Sequence, residues 1–152
     1  LVLTERYLPG GGEEAWPDTA WAAARHEVES ALGDALRARP DAPGAGLVVA
    51  LGGSAANLAS LEADFVRFDP AATEGLEVRA TGALAWAEQL RRLTREQRLG
   101  FPLEHSRAAI LPAGLLCLGA ALVASGAAHA RASGRGLRYG LAGKVLRGEW
   151  RR

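Results

Sequence analysis

The turn Gly52-Gly53-Ser54 directly follows an apolar run and directly precedes a segment of helical composition. Successive amides in such a turn can point together at an anion, and the following helix adds the positive end of its dipole. Glycine suits these positions because a side chain would keep the backbone away from a phosphate. The alternative is a tight strand-to-helix turn in which Ser54 is an ordinary N-cap, since short glycine motifs recur by chance. The turn is neither a Walker A loop nor Gly-x-Gly-x-x-Gly, so both interpretations stay open at this point.

Two basic features of the sequence could also meet an anion. Arg107 stands just before a long apolar segment of helical composition, where its charge opposes the helix dipole, and this mild misplacement favours a binding role. The C-terminal part has a local basic excess that either attracts a polyanion or forms a solvated helix face. Its basic residues are Arg131, Arg135, Arg138, Lys144, Arg147, Arg151 and Arg152, and Glu149 is the acid among them.

Other catalytic and metal-binding chemistry finds little support in the residue pattern. The three histidines are far apart in sequence, and no His/Asp/Glu spacing suggests a metal cage. Cys117 is the only cysteine, which excludes an intrachain disulfide, and its apolar surroundings predict a buried small hydrophobe. Several acids are available but nothing in the sequence pairs them: Glu13, Glu14, Glu62, Asp64 and Glu104.

The elements that would position these residues follow an α/β pattern, because segments of strand and helix composition alternate. Asp18 or Thr19 could cap the first helix, and Thr81 could cap a later one. The second predicted strand is expected to be buried and central, and the last to be an edge or late strand. Strands are predicted over residues 1–8, 46–51, 76–79 and 129–133. Helices are predicted over residues 19–36, 55–62, 106–125 and 136–146, with Pro40 and the turn at 41–44 ending the first. A further helix is predicted from Thr81 past Leu93 and Arg95, with residues 100–102 breaking it.

The composition describes one ordinary soluble domain. The chain has 152 residues, of which 49% are hydrophobic and 23% charged, with a net charge of +1, so non-specific nucleic-acid binding is not expected. Residues 108–128 carry no charge over about the length of a bilayer. Alanine and glycine dominate that segment, Pro112 and three glycines interrupt it, and it lacks an aromatic belt, so it predicts a buried helix packed through small residues. No signal peptide is visible, and we expect a cytoplasmic protein without a membrane partner.

Four segments, taken in order, resemble the second, C-terminal lobe of the exopolyphosphatase and guanosine pentaphosphate phosphohydrolase family (Ppx/GppA). Each motif is weak alone, and their order and spacing over nearly the whole chain carry the resemblance. The sequence departs from the family pattern at Ser54, where threonine is usual, and at Gly134 and Tyr139, where aspartate and glutamate are usual. The matching segments are residues 1–8, 51–61, 104–114 and 133–140.

The resemblance implies an actin-like ATPase-superfamily fold of two lobes, each an RNase-H-like α/β unit, with the active site in the cleft between them. It implies that residues 1–152 form a single domain, a partial mixed sheet flanked by helices. The first lobe and the start of the domain's own sheet would be missing. Such enzymes remove terminal phosphate from polyphosphate or guanosine pentaphosphate, with a magnesium-type ion (Mg) and a water activated by a glutamate.

The resemblance also assigns roles to individual residues. By position, Gly52, Gly53 and Ser54 would form the loop that approaches the phosphate chain or nucleotide. Arg107 matches an arginine that can contact the nucleotide ligand, and Arg138 matches an arginine with a structural or secondary anion-binding role. No catalytic residue and no metal ligand is identified in this chain, so we expect the 152 residues alone to be inactive.

Two alternatives remain beside this phosphohydrolase. The chain could be a non-catalytic module that senses a nucleotide or polyphosphate or pairs with another chain, or it could belong to another actin-like protein such as a sugar kinase. The expected partners are polyphosphate or a guanosine nucleotide, together with the missing first lobe. A homodimer stays open, and nucleic acid is not expected.

Overall fold

The computed structural model describes residues 2–8, 10–38 and 46–149. A single 3-10 turn, His105–Arg107, lies between the fifth and sixth helices of this part. The three strands of the described part are β1 Val49–Leu51, β2 Glu77–Arg79 and β3 His129–Ser133. Its helices are α1 Val2–Tyr7, α2 Asp18–Arg37, α3 Gly53–Glu62, α4 Ala80–Arg91, α5 Arg95–Arg98, α6 Leu111–Ala124 and α7 Leu137–Leu146. The alternation of strands and helices confirms the mixed α/β class.

The three strands form one small mixed sheet in the order β1-β3-β2. β1 runs parallel to β3, with Val49 opposite Arg131 and Leu51 opposite Ser133. β2 runs antiparallel to β3. The expected partial mixed sheet is therefore present, with β3 as its middle strand.

The predicted places of two strands in the sheet were wrong. The strand expected at the centre is the edge strand β1, and only Ala50 of its three residues is buried. The strand expected to be an edge or late strand is the last described strand of the chain, but it is the central strand β3 and not an edge, and Ala130 and Ala132 are buried on alternate positions. A continuous apolar run predicts a strand but does not fix its neighbours, and here the central strand has two alanines on its inward face although valine is the more usual residue there.

The segment at residues 1–8 is a helix over its described part, not a strand. Thr4 and Leu8 are buried, and the backbone N–H of Leu8 donates to the carbonyl oxygen of Thr4 at 2.9 Å. Leu3 and Tyr7, each one residue earlier, are partly buried against the core. Pairs four residues apart share one face of a helix, and this period outweighs the weak alternation that suggested a strand.

Helix boundaries also differ from the predicted ones. Pro17 occupies the N-cap position of α2, so neither Asp18 nor Thr19 is the N-cap residue of that helix. Thr81 lies inside the first turn of α4, whose N-cap residue is Arg79. The helix predicted to continue past Arg95 to a break at residues 100–102 ends at Arg91, because a capping box between Thr94 and Gln97 starts the separate helix α5. The predicted stop at Pro40 and residues 41–44 lies outside the described residues.

The long apolar segment forms α6, which begins at Leu111 and not near residue 106. Pro112 stands in the first turn, where proline is well tolerated, and does not interrupt the helix. Gly119 faces Ala83 and Leu84 so closely that a Cβ atom would lie 2.8 Å from Leu84 Cδ2, as expected for a helix packed through small residues.

Cys117, which also lies on α6, is exposed and not buried as predicted. Neighbouring protein atoms still raise the pKa of its thiol through desolvation. No helix in the described part of the chain is both long and apolar enough to cross a membrane.

A buried arginine joins the helices to the loop that carries Arg107. Arg98 has no exposed side-chain surface, and desolvation lowers its pKa to about 10. Its Nη1 donates to the carbonyl oxygens of Gly12 at 2.8 Å and Ala108 at 3.1 Å, and its Nε donates to that of Leu90 at 2.8 Å. The guanidinium therefore fixes the turn between Arg107 and α6 against two other parts of the fold.

Candidate functional site

The carboxyl ends of the parallel strands β1 and β3 lead to two helix N-termini. β1 runs through Gly52 into α3, and β3 runs through residues 134–136 into α7. The backbone N–H of Gly52 donates to the carbonyl oxygen of Ser133 at 2.8 Å, so the two loops are tied together. In open α/β sheets this edge is where ligands bind, outside the carboxyl ends of the strands.

The glycine turn has the conformation that its sequence suggested. Gly52 has φ of +100°, in the region that only glycine adopts freely, and it is the N-cap residue of α3. Ser54 is the second residue of that helix and makes no capping hydrogen bond, so the interpretation of Ser54 as an ordinary N-cap is wrong. The amides of Gly53 and Ser54 belong to the first turn, where a helix offers its N–H groups no internal acceptor.

Arg107 lies directly against the backbone of Gly53. A Cβ atom at Gly53 would overlap the Nε and Cζ atoms of Arg107 and would lie 2.7 Å from its Cδ. The structure therefore brings two of the predicted site residues together. It gives a different reason for the glycine, because the space above Gly53 accommodates a guanidinium group.

Glu104 pairs with this arginine. Arg107 Nε donates to Glu104 Oε2 at 2.9 Å, and Ser106 Oγ donates to Glu104 Oε1 at 2.6 Å. The hydrogen bond from Ser106, followed by that from Arg107, lowers the pKa of the Glu104 carboxyl. The sequence had left Glu104 without a partner, although its spacing of three residues from Arg107 is one at which side chains meet on a helical turn.

Asn57 connects the glycine turn to the segment that carries Glu104 and Arg107. Its side chain is completely buried, its Nδ2 donates to the carbonyl oxygen of Gly53 at 2.7 Å, and its Oδ1 accepts from the N–H of Glu104 at 2.7 Å. Sequence reasoning missed this residue. The sequence feature that could have indicated Asn57 is an amide side chain in a predicted helix whose other residues before Glu62 are small or apolar.

Ser54 faces the start of α6. A Cβ atom at Gly114 would lie 2.5 Å from Ser54 Oγ, so the hydroxyl in its present position lies against the glycine. Ser54 is half-buried, beside the half-buried Gly53. The start of α3 thus lies against Arg107 at Gly53 and against the first turn of α6 at Ser54. The hydrogen-bond donors at this helix start are the amides of Gly53 and Ser54, the Ser54 hydroxyl and the Arg107 guanidinium.

The remaining predicted residues contribute less to this region. Arg138 lies in the first turn of α7, but its side chain lies outside the described part of the structure. In the adjacent loop Glu74 accepts from Ser133 Oγ at 2.7 Å and from the N–H of Gly134 at 3.1 Å.

In the basic C-terminal part Arg147 pairs with Glu149 at 2.6 Å, which partly supports a solvated helix face. Arg151 and Arg152 lie outside the described residues.

Metal coordination has no evident place in this part of the chain. Within residues 2–8, 10–38 and 46–149 no group of three or more His, Cys, Asp or Glu side chains could hold a metal ion. The candidate site is therefore built from hydrogen-bond donors and one ion pair, which is the chemistry of anion binding.

Solved structures of other proteins share this fold, although comparisons of the sequence find no match. No protein-family model matches the chain, and no curated protein matches its sequence. Among solved structures, a Ppx/GppA family member from Aquifex aeolicus matches 99% of this chain and 47% of its own, with a TM-score of 0.78 and 22% identity. An exopolyphosphatase-like protein matches 97% of this chain and 48% of its own, with a TM-score of 0.76 and 20% identity.

An exopolyphosphatase from Cytophaga hutchinsonii matches 96% of this chain and 46% of its own, with a TM-score of 0.73 and 14% identity. The chain thus spans about half the length of the solved structures that it matches, the share that one of two lobes would occupy. This chain therefore has the fold of one half of a Ppx/GppA phosphatase, and the resemblance drawn from its four sequence segments is confirmed.

Proposed function

We propose that this chain is the second lobe of a phosphohydrolase that removes terminal phosphate from inorganic polyphosphate or guanosine pentaphosphate. The lobe would be an RNase-H-like unit of the actin-like ATPase superfamily and would form one side of the active-site cleft. One observation carries the proposal: Arg107 lies against Gly53, the residue before Ser54, in the helix start that follows the carboxyl end of β1, in a fold shared with an exopolyphosphatase.

The role proposed for this lobe is to position phosphate and to stabilise its charge. Phosphoryl transfer depends mainly on positioning and on donors aimed at the charged oxygens. The amides of Gly53 and Ser54, the Ser54 hydroxyl and the Arg107 guanidinium are such donors. Hydrolysis would proceed by in-line attack of water on the terminal phosphoryl group.

A general base is not proposed within this lobe. Glu104 is the carboxylate beside Arg107, and its lowered pKa makes it a weak proton acceptor. For magnesium, which the family resemblance implies for the complete enzyme, we propose no ligand among the described residues of this chain. The attacking base and the metal would come from the first lobe.

Titration calorimetry with tripolyphosphate tests the proposed site. Arg107→Gln removes the cation and should weaken binding by about ten- to a hundredfold, because a hydrogen bond to a charged group contributes about 1.5–3 kcal/mol. Arg25→Gln is the matched control, since Arg25 is an exposed arginine of α2 paired with Glu29. Equal affinity of the wild type and Arg107→Gln, or equal losses in both variants, would refute the site.

A nucleotide-sensing module is the second candidate, because the Arg107 guanidinium against Gly53 and the amides at the start of α3 can bind a phosphate without a catalytic group. It predicts that the chain binds guanosine tetraphosphate through Ser54 and Arg107. Substituting these two residues in the complete protein should then abolish nucleotide binding while polyphosphate turnover stays unchanged. Loss of turnover in the same variants favours the phosphohydrolase instead.

A further inference from the structure

Arg107, whose guanidinium lies against the start of α3, already forms an ion pair with a carboxylate of the same chain. Arg107 lies against Gly53, at the helix end where the dipole is positive, so its charge is unfavourable there without an anion. Glu104 supplies that anion through Oε2, 2.9 Å from Arg107 Nε. A carboxylate of the chain is thus bound to the group that the proposed function assigns to a phosphate.

The Glu104 side chain can leave this position without disturbing the fold. Its backbone N–H donates to Asn57 Oδ1, and this buried contact does not involve the carboxylate. The side chains of Glu104 and Arg107 are 41% and 38% exposed. Ion pairs at that exposure contribute little to stability, so a ligand anion can replace the carboxylate at small cost.

We propose that Glu104 is an internal competitor of the phosphate ligand, which holds Arg107 in place and gives way when a polyphosphate-type anion binds. The inference rests on the proposed function and names a residue that sets the affinity of the same site. A ligand must displace the Glu104 carboxylate from Arg107 in order to bind. This competition weakens the binding of a single inorganic phosphate more than that of a chain of phosphates, which makes several contacts.

Calorimetry of the 152-residue chain with tripolyphosphate tests this inference. Glu104→Gln keeps the shape of the side chain but removes its charge, and it should bind about fivefold more tightly than the wild type, the order of one half-exposed ion pair. Glu104→Asp keeps the charge and should bind close to the wild type. The gain should shrink as salt is raised from about 0.05 to about 0.5 M, because salt screens exposed charges.

Glu29→Gln is the matched control, because it makes the same change in net charge at the other end of α6. Glu29 is an exposed residue that lines a groove beside Ala120, Val123 and Ala124 of that helix. Its tripolyphosphate affinity should equal that of the wild type. An equal gain in Glu29→Gln would overturn the inference by showing an effect of net charge alone.

Thermal unfolding without ligand separates competition from a structural role. If Glu104 is a competitor, Glu104→Gln should have a slightly lower Tm but bind tripolyphosphate more tightly. If Glu104 has a structural role only, the same variant should lose both thermal stability and affinity. Unchanged or weaker binding by Glu104→Gln, with Arg107→Gln still impaired, overturns the inference alone. If neither wild type nor Glu104→Gln binds tripolyphosphate, the proposed function falls together with this inference.

Discussion

At the scale of single residues, the missing side chain of Gly53 allows the Arg107 guanidinium to lie against the backbone. The absence of a side chain leaves room for Arg107 across the start of α3, and Glu104 and Asn57 hold the two segments together. The role of the glycine is thus to admit a cation of the chain itself. A phosphate would then meet the guanidinium and the helix amides at one place.

Replacing Gly53 by alanine should therefore impair binding more than stability. The methyl group forces Arg107 away, but that side chain is flexible, and alanine favours a helix by about 1 kcal/mol over glycine. The free energy of unfolding should change by less than about 1 kcal/mol, while tripolyphosphate binding weakens as much as in Arg107→Gln.

The double variant of Gly53→Ala and Arg107→Gln should show no further loss of affinity, because both changes remove the same contact. Gly46→Ala, at a glycine with open space around it, is the control. Additive losses in the double variant would contradict this account.

The sequence indicated Gly53 and Arg107 but not the residues that join them. Spacing along the chain identified the glycine turn and a misplaced cation. The contact between Asn57 and Glu104 joins residues 47 positions apart, and no local pattern encodes such a contact. The pair of Glu104 and Arg107 was readable from its three-residue spacing, although the prediction left Glu104 unpaired.

At the scale of elements, Arg98 holds the Arg107 turn in place. This single guanidinium donates to carbonyl oxygens after α1, at the end of α4 and before α6. No periodicity of the sequence marks it, because an arginine on a short helix normally predicts an exposed side chain. The capping box of Thr94 and Gln97, by contrast, is a local motif, and it makes α4 and α5 separate helices where one was predicted.

Replacing Arg98 by methionine should destabilise the protein strongly. The substitution keeps an unbranched side chain but leaves several buried carbonyl oxygens without their donor, which costs about 3 kcal/mol or more. Arg95→Met on the same helix is the control, because Arg95 is 40% exposed and only loosely paired with Glu13 at 3.7 Å. Denaturant unfolding should show a much smaller loss for Arg95→Met, and similar losses would contradict the role of Arg98.

The contact between α2 and α4 should respond to acid through Glu88. Hydrogen bonds from Arg91, and then from Arg92, lower the pKa of this carboxyl from 4.5 to about 2. Arg91 also donates to Asp18 at the start of α2, at 2.6 Å. Glu88 therefore helps to orient an arginine that joins the two helices.

Between pH 4.5 and about 2 the unfolded chain binds more protons at Glu88 than the folded chain does, so stability falls as pH decreases through this range. Glu88→Gln should reduce that fall. Denaturant unfolding at several pH values measures it, and an NMR titration midpoint of Glu88 near 4.5 would contradict the account.

At the scale of the whole molecule, the chain has one half of a fold known from larger proteins. The order of four weak segments predicted that fold where no single element did, because the order constrains the topology more than any one motif. The detailed sheet order was not predictable, since the apolar run of β1 and the alanines of β3 suggest the opposite positions.

The 152 residues alone should release no phosphate from polyphosphate. The proposed lobe offers donors for phosphate, but its carboxylate Glu104 is a weak base engaged by Arg107 and Ser106. A malachite-green assay with long-chain polyphosphate and Mg²⁺ should show no release above the protein-free rate. Release that is lost in Arg107→Gln would contradict the assignment of the attacking base to the other lobe.

The most direct test of the phosphate site is an NMR titration of the ¹⁵N-labelled chain with tripolyphosphate. We predict saturable shifts at the backbone amides of Gly53 and Ser54 and at the Nε–H of Arg107. The amides of the basic segment around Lys144 and Arg147 should shift little. Shifts confined to that segment, or no saturable shift at Gly53 and Ser54, would contradict the proposal that the carboxyl edge of β1 and β3 binds phosphate.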